Sequence, residues 1–249
     1  MRRSVFFFLS GLALSFGTIV AQEPSRGPDG GTTTRVSGVV LLAIPGKPFS
    51  ARTTTEWTQT LADGSTISKR LEANLARDGQ GRIYRENHTF VPANSERKSP
   101  LWEVHLYDPV TRSQAHCSTR AMQCVLTDYS PMTFFEDAPA GSNADGTRTL
   151  TRESLGSDVI EGIYVTGTRE TRTLSPGVAG NDQPLVSTRE FWYSSELQTN
   201  LAVIRNDPRE GKQTIRLSNI SVSDPDPHLF ELPIGYAVRD MRASALRRR

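Results

Sequence analysis

The C-terminal stretch that decides the fold reads Gln213-Thr-Ile-Arg-Leu-Ser-Asn-Ile-Ser-Val-Ser-Asp-Pro-Asp-Pro-His-Leu-Phe-Glu-Leu-Pro-Ile-Gly-Tyr-Ala-Val238. Ile215 and Leu217 alternate with polar residues, which is the period of a β-strand with one buried face. The alternation changes phase at Ser218-Asn219, so a β-bulge is predicted there. Asp-Pro turns and a Pro-x-Gly exit follow, and the stretch contains no group suited to catalysis.

The same alternation recurs along most of the chain. It is clearest over 49–61, where aromatic and aliphatic residues share one parity and polar residues occupy the other. Asp63-Gly64 then predicts a turn, and further alternating segments follow as far as residue 222. Helix signals occur only over 128–138 and 194–197. The sequence therefore predicts a mainly β fold, a single large curved antiparallel sheet with few short helices.

The N-terminal residues differ in composition from the rest. Met1-Arg2-Arg3 precedes an apolar run, and polar residues follow at once, which is the pattern of a secretory signal peptide rather than of a permanent membrane span. The next residues are rich in Pro, Gly and Thr and predict a flexible leader. We expect a signal peptide over 1–21 with cleavage near Ala21, a leader over 22–35, one β domain over 36–240 and a basic tail over 241–249. Such a protein would be periplasmic or secreted.

The charge balance argues against a nucleic-acid partner. The chain has 29 Lys and Arg residues against 27 Asp and Glu, and removal of Arg2 and Arg3 with the signal peptide leaves 27 of each sign. A near-neutral protein lacks the positive excess by which proteins bind phosphate backbones. The basic residues at the C-terminus are interpreted as a solvated tail.

The two cysteines, Cys117 and Cys124, are separated by six residues. Thiols oxidise in exported proteins, and this spacing suits a hairpin with the two sulfurs facing across it. We predict a structural disulfide. A redox-active pair is the alternative, and it is disfavoured because the spacing is not Cys-x-x-Cys.

Several motifs resemble the periplasmic lipoprotein-carrier superfamily, the LolA-like proteins. Phe49-Ser-Ala51 with the Asp63-Gly64 turn is similar to that family's first hairpin, and Leu106-Tyr-Asp-Pro109 is similar to its turn between central strands. The stretch 213–238 is similar to its closing segment. Phe191-Trp-Tyr193 resembles a strand of the related RseB-like periplasmic sensors.

The resemblance implies an unclosed, strongly curved sheet, a half-barrel whose concave apolar face holds acyl chains beneath helices that act as a lid. It implies a binding role for a hydrophobic ligand or a lipoprotein. Two segments depart from the family pattern. Residues 36–44 are β-branched and predict a strand where the family has an amphipathic helix, and the loop 175–184 is an addition.

A sheet of this width needs cover on its apolar side, and the chain has little helix to supply it. We therefore expect either a lipid-sized pocket, which we favour, or a core filled by the chain itself. The residues expected on the concave, ligand-binding face are Phe49, Trp57, Leu61, Leu71, Leu75, Trp102, Val104, Leu106, Ile163, Val165, Ile215 and Leu217.

Glu103, His105 and His116 are expected on one side of a hairpin whose turn pairs Tyr107 with Arg112. Two imidazoles and a carboxylate are a donor set suited to Zn²⁺. That side alternates with the apolar residues of the same strand, so it is interpreted as a wet convex face. We therefore favour a solvated polar patch there and predict no metal site.

The sequence contains no Gly-x-Ser-x-Gly elbow, no His-Glu-x-x-His motif and no glycine-rich phosphate loop. No catalytic residue and no cofactor are therefore predicted. The expected function is that of a secreted non-enzymatic protein that holds a lipid or the acyl chain of a lipoprotein. An RseB-like envelope sensor that binds a protein partner, and a structural secreted protein with a filled core, are the alternatives.

Overall fold

The computed structural model describes residues 39–129 and 139–243. The predicted signal peptide and leader lie outside the described residues, as does most of the helical turn expected over 128–138. The strands are β1 (Phe49–Thr60), β2 (Thr66–Arg77), β3 (Ile83–His88), β4 (Val91–Pro92), β5 (Leu101–Asp108), β6 (Ser113–Ser118), β7 (Gln123–Asp128), β8 (Gly141–Ser142), β9 (Arg148–Ile160), β10 (Ile163–Leu174), β11 (Leu185–Ser194), β12 (Thr199–Asp207), β13 (Gly211–Ser221) and β14 (Ala237–Asp240). A 3₁₀ helix spans Pro227–Phe230.

All of these strands belong to one sheet. Their order is β14-β7-β6-β5-β3-β2-β1-β13-β12-β11-β10-β9-β8, and β4 pairs with β2. Neighbouring strands are antiparallel except β14, which runs parallel to β7. The two strands at the ends of this order do not pair with each other, so the sheet is open. The prediction of one large, mainly antiparallel sheet with little helix is confirmed.

The predicted hairpin and bulge are both present. β1 and β2 pair along their whole lengths. The pairing of β1 with β13 shifts between Ser50 and Arg52, and Asn219 of β13 has a φ of 51°. An extra residue in one strand produces this kind of shift. The bulge predicted at Ser218-Asn219 is therefore confirmed.

A strand was expected over residues 36–44, but the described part of this segment, 39–44, does not form one. The described part, 39–44, pairs with no strand, and Val39 and Leu41 are buried in the main core. Its carbonyls bond to side chains instead of to a neighbouring strand, since Val40 O accepts a hydrogen bond from the Thr199 hydroxyl. The high β-propensity of this segment therefore reflects burial and not pairing.

Arg77, the last residue of β2, is fully buried and holds this segment in place. Its guanidinium donates to Leu42 O at 3.0 Å, to Lys47 O at 2.8 Å and to Leu197 O at 2.6 Å. The guanidinium carbon lies 5.1 Å from the centroid of the Phe49 ring. Burial lowers the pKa of Arg77 to about 10, which leaves the side chain charged at neutral pH. One side chain thus joins the N-terminal segment, β2 and the β11–β12 turn.

A second core lies on the other side of the sheet, under the C-terminal segment. Its buried members are Val104, Leu106, Ala115, Cys117 and Cys124, with Leu232 and Tyr236 packed against them. The two cysteines face each other directly across β6 and β7 and form the predicted disulfide. The C-terminal segment 213–238 therefore covers this second core and leads into the parallel strand β14.

Replacement of Arg77 by Met should destabilise the fold by about 3 kcal/mol or more, because it removes three hydrogen bonds from a charged group, each worth about 1.5–3 kcal/mol. Urea unfolding followed by tryptophan fluorescence measures this change. Arg216→Met, at an exposed position of β13, is the matched control and should change stability by less than about 0.5 kcal/mol. Equal midpoints for the two variants would show that the Arg77 bonds do not hold the N-terminal segment.

Candidate ligand-binding face

Residues directly opposite each other in neighbouring antiparallel strands lie on the same face of a sheet. By this register Phe49 shares a face with Arg77 of β2, Ile83 of β3 and Tyr107 of β5. We call this side the Phe49 face. The opposite side, which carries Val104 and the disulfide, is the Val104 face.

Four of the predicted ligand-binding residues are buried together on the Phe49 face. They are Phe49, Leu75, Ile215 and Leu217. None of the four is more than 4% exposed. Because the segment 39–44 packs into the same cluster, the chain itself covers this part of the face.

Trp57, Leu61 and Leu71 lie toward the other end of the β1–β2 hairpin. Trp57 and Leu71 have the parity of the Phe49 face and are half-buried, whereas Leu61 lies beyond the end of β1 and is 39% exposed. The Trp57 indole donates to Glu210 O at 2.7 Å, and the Lys69 ammonium lies 5.2 Å from the ring centroid. This end of the hairpin is thus an amphipathic border of the face.

Trp102, Val104 and Leu106 lie on the Val104 face, which corrects the expectation that they share a face with Phe49. Leu75 pairs with Arg85, and Arg85 pairs with His105, so His105 lies on the Phe49 face. Val104 and Leu106, the residues next to His105 in β5, therefore point to the opposite side. Val104 and Leu106 are buried in the second core, and Trp102 is 47% exposed.

Ile163 and Val165 of β10 are buried and belong to the main core cluster. Gly167 of the same strand lies close to Trp192, since a Cβ at this position would be only 2.8 Å from the indole ring. Glycine at this position therefore permits the Trp192 ring to pack directly against the backbone of β10. Tyr164, between the two buried residues, is exposed.

A row of charged and polar side chains crosses the Phe49 face beside the apolar cluster. The register aligns Trp57, Gln213, Arg205, Arg189, Glu170 and Arg152 across β1, β13, β12, β11, β10 and β9. With strands about 4.8 Å apart, the five residues from Gln213 to Arg152 span roughly 20 Å. We call these five residues the arginine row. Among described residues it contains three arginines and one glutamate.

Glu170 is the fully buried carboxylate of this row. Its Oε1 accepts from the Arg152 guanidinium at 2.8 Å, and its Oε2 lies 3.4 Å from the Arg172 guanidinium. The side chain of Arg152 is 23% exposed, and Arg189 and Arg205 are half-buried. Burial strengthens electrostatic interactions with any charged group that reaches this row, because the local dielectric is lower than that of water.

The arginine row was not anticipated from the sequence. Alternating charged residues along β9–β11 have the pattern of solvated strands, and period-two alternation does not say which of two polar faces is turned inward. The signal that could have found it is the pair Arg152 and Glu170, because opposite charges at paired positions of neighbouring strands stabilise each other.

The register also corrects the placement of Glu103, His105 and His116. The turn pairs Asp108 with Ser113, so His105 lies directly opposite His116. All three side chains are half-buried on the Phe49 face and not on a wet convex side. The reason is that the pairing of β1 with β2, of β2 with β3 and of β3 with β5 decides which residues of β5 lie on the same face as Phe49.

An open cleft of about 330 Å³ lies on the Val104 face, with Arg52, Asn74, Tyr84, Glu86 and Leu229 among its lining residues. Burial and the hydrogen bond to Glu86 raise the pKa of Tyr84. Burial alone would raise the pKa of Glu86, but hydrogen bonds from Tyr84, Asn74 and His88 hold it below its ordinary value. A charged carboxylate in its wall makes this cleft unsuitable for an acyl chain.

Within the described ranges, no helix is both long and apolar enough to cross a membrane. No family model and no curated protein matches the chain. Among solved structures, MucB is similar with a TM-score of 0.37 at 10% identity, over 79% of this chain and 61% of MucB. LprF from Mycobacterium bovis has a TM-score of 0.29 at 13% identity, over 72% of this chain and 90% of LprF.

Lipoprotein LppX from Mycobacterium tuberculosis has a TM-score of 0.25 at 14% identity, over 70% of this chain and 89% of LppX. The chain spans less than two thirds of MucB. Because all three TM-scores lie below 0.5, these similarities assign no ligand and no partner to the chain.

Replacement of Glu170 by Gln should destabilise the fold by about 3 kcal/mol, because removal of one partner from a buried ion pair leaves an uncompensated charge. Glu190→Gln is the matched control, since Glu190 pairs with Arg169 near the surface and such pairs are worth less than about 1 kcal/mol. Urea unfolding at pH 7 compares the two. A loss for Glu170→Gln no larger than that for Glu190→Gln would contradict the assignment of Glu170 as the internal counter-charge.

Proposed function

We propose that this chain is an exported, non-enzymatic binding protein for an amphiphile that has an apolar chain and an anionic end. The observation that carries the proposal is the position of the arginine row, on the Phe49 face and beside the half-buried side chains of Trp57 and Leu71. Trp57 lies in register with Gln213 and Arg205, so two strand spacings, about 10 Å, separate it from the first arginine of the row. Apolar and cationic groups thus lie within the length of one small ligand.

The apolar half of the site supplies binding energy and the arginine row supplies specificity. Each methylene moved from water to an apolar surface contributes about 0.8 kcal/mol. Guanidinium groups bind carboxylates and phosphates in bidentate geometry. An acyl chain with a carboxylate or phosphate end matches both properties.

Export is part of the proposal. It is supported by the basic start and apolar run of the first 21 residues and by the disulfide between Cys117 and Cys124, since disulfides persist in oxidising compartments. We place the protein in the periplasm or outside the cell. The described side chains of the arginine row and of Trp57 and Leu71 are suited to binding and release of a ligand.

The proposal is tested with a fluorescent fatty acid and the neutral amide of the same probe. We expect the acid to bind wild-type protein and the amide to bind about 10- to 100-fold more weakly, the factor for a hydrogen bond to a charged group worth about 1.5–3 kcal/mol. Arg189→Gln and Arg205→Gln should weaken binding of the acid by a similar factor and leave the amide unchanged. Fluorescence titration of each of the three proteins with each of the two probes measures these affinities.

Arg169→Gln is the control, because Arg169 lies between Glu170 and Thr168 in β10 and pairs with Glu153 and Glu190 on the other side of the sheet. It should bind both probes as wild type does. Native mass spectrometry of protein purified from cells provides an independent measurement. Absence of bound lipid, together with no uptake of either probe, would refute the proposal.

A peptide-binding role is the second candidate, and the outer edge of β9 favours it. Among described residues, β9 pairs on that side only with the two-residue strand β8, at Thr149 and Leu150. The edge from Thr151 to Ile160 is therefore open, and an open edge can accept an added strand from a partner. A co-purified polypeptide that crosslinks to this edge, in protein that contains no lipid, would favour this role over lipid binding.

A further inference from the structure

His105 and His116 form the centre of a second polar cluster on the Phe49 face, at the β5–β6 hairpin. Their rings lie directly opposite each other with centroids 4.1 Å apart, and His116 Nδ1 lies 3.1 Å from His105 Nε2. Glu103 Oε2 also contacts His105 Nε2. One donor atom from each of the three side chains lies within 4.8 Å of the others.

Two further side chains complete the surroundings of this cluster. Asn87 of β3 faces Glu103, and its amide lies 3.1 Å from His105 Nε2 and 3.4 Å from Glu103 Oε2. With the amide turned over, Asn87 presents its carbonyl oxygen to the same point. Tyr107 OH lies 3.3 Å from His105 Nδ1, so the far nitrogen of the ring has a partner that fixes its orientation.

This arrangement brings more lone pairs together than protons can satisfy. A neutral imidazole nitrogen carries either one proton or one lone pair. His105 Nε2 faces both the Glu103 carboxylate and His116 Nδ1, so one proton on it can serve only one of them. A cation at the same point is attracted by all three donor atoms at once.

The donor atoms of the cluster restrict which cation fits. Among described residues, Glu103 is the carboxylate of the cluster, and Arg85 lies directly opposite His105 on β3. Mg²⁺ and Ca²⁺ prefer sites made of oxygen ligands, which a pair of imidazoles does not supply. Zn²⁺ and Cu²⁺ bind imidazole strongly and need only two or three such ligands.

We propose that Glu103, His105 and His116 bind one divalent transition-metal ion, Zn²⁺ in the first instance, with Asn87 or water as the fourth ligand. The Zn–N and Zn–O distances of about 2.0–2.2 Å place tetrahedral ligand atoms roughly 3.3 Å apart, close to the observed separation of the two imidazole nitrogens. The site is independent of the arginine row and does not depend on the proposed lipid ligand.

The test is titration of the full chain, freed of metal with a chelator, with Zn²⁺ alone. Calorimetry should show one Zn²⁺ per chain with a dissociation constant on the order of 1 μM or lower. His105→Gln and His116→Gln should each weaken binding by at least about 10- to 100-fold, since even loss of a ligand's hydrogen-bond partner has that effect. Tyr107→Phe removes such a hydrogen-bond partner and should weaken binding by no more than about 10- to 100-fold.

The chain supplies its own controls. His88 lies on the Val104 side, where it bonds to Glu86, and His228 lies near Glu231 on the surface. His88→Gln and His228→Gln should bind Zn²⁺ as wild type does. Circular dichroism confirms that each variant is folded before titration.

X-ray absorption of the wild-type Zn²⁺ complex gives a result that does not depend on any variant. The absorption fine structure of the bound zinc is expected to show two imidazole ligands. Folded wild-type protein that binds no Zn²⁺ would overturn the proposal. Equal binding by wild type and by the His105 and His116 variants, or an imidazole count other than two, would do the same.

Discussion

The bonds from the buried guanidinium of Arg77 to three carbonyls are the interaction on which the rest of the structure depends. Burial of a charge costs several kcal/mol unless its hydrogen bonds are satisfied. Leu42 O lies in the segment 39–44, which pairs with no strand, and it also accepts a hydrogen bond from Ile44 N at 2.9 Å. The three carbonyls satisfy the buried guanidinium, and the guanidinium in turn holds together the separate segments to which they belong. The N-terminal segment remains on the Phe49 face because of this exchange.

That segment changes what the Phe49 face can do. Val39 and Leu41 fill the space over the apolar cluster at the end of β1 where Phe49 lies, so this end is a core and not a pocket. The arginine row lies farther along the same strands, where β1 carries Trp57. The filled core, one of the two alternatives when the sequence is considered alone, is therefore present at one end of this face, and the binding site that we propose lies toward the other end.

Local features of the fold were predictable from the sequence, and relations between distant strands were not. The bulge at Asn219 and the Cys117–Cys124 disulfide follow from patterns within a few residues. The face on which Val104 lies depends on pairing through four strands, and a shift of one residue anywhere in that path exchanges the faces. The sequence of the intervening loops, 78–82 and 89–100, does not fix these shifts.

The same limit explains why Glu103, His105 and His116 were assigned to solvent. His105 lies between the apolar residues Val104 and Leu106, and in an isolated strand the apolar side is the one expected to be buried. Here apolar residues are buried on both faces of the sheet. Val104 of β5 belongs to the second core, and Leu201 of β12 belongs to the main core on the other side. When both faces are covered, alternation no longer distinguishes inside from outside, and a polar residue on either face can be enclosed.

The two polar clusters of the Phe49 face lie on opposite sides of β1, the arginine row on β9–β13 and the imidazole pair on β5–β6. The main apolar cluster reaches both regions, from Leu75 and Ile83 on β2 and β3 to Phe191 and Val203 on β11 and β12. Four strand spacings, about 19 Å, separate β6 from β1 along the sheet, so an anion at the arginine row and a cation at the imidazoles interact weakly across a screened distance. Each site therefore has its own electrostatic environment, and occupation of one does not require occupation of the other.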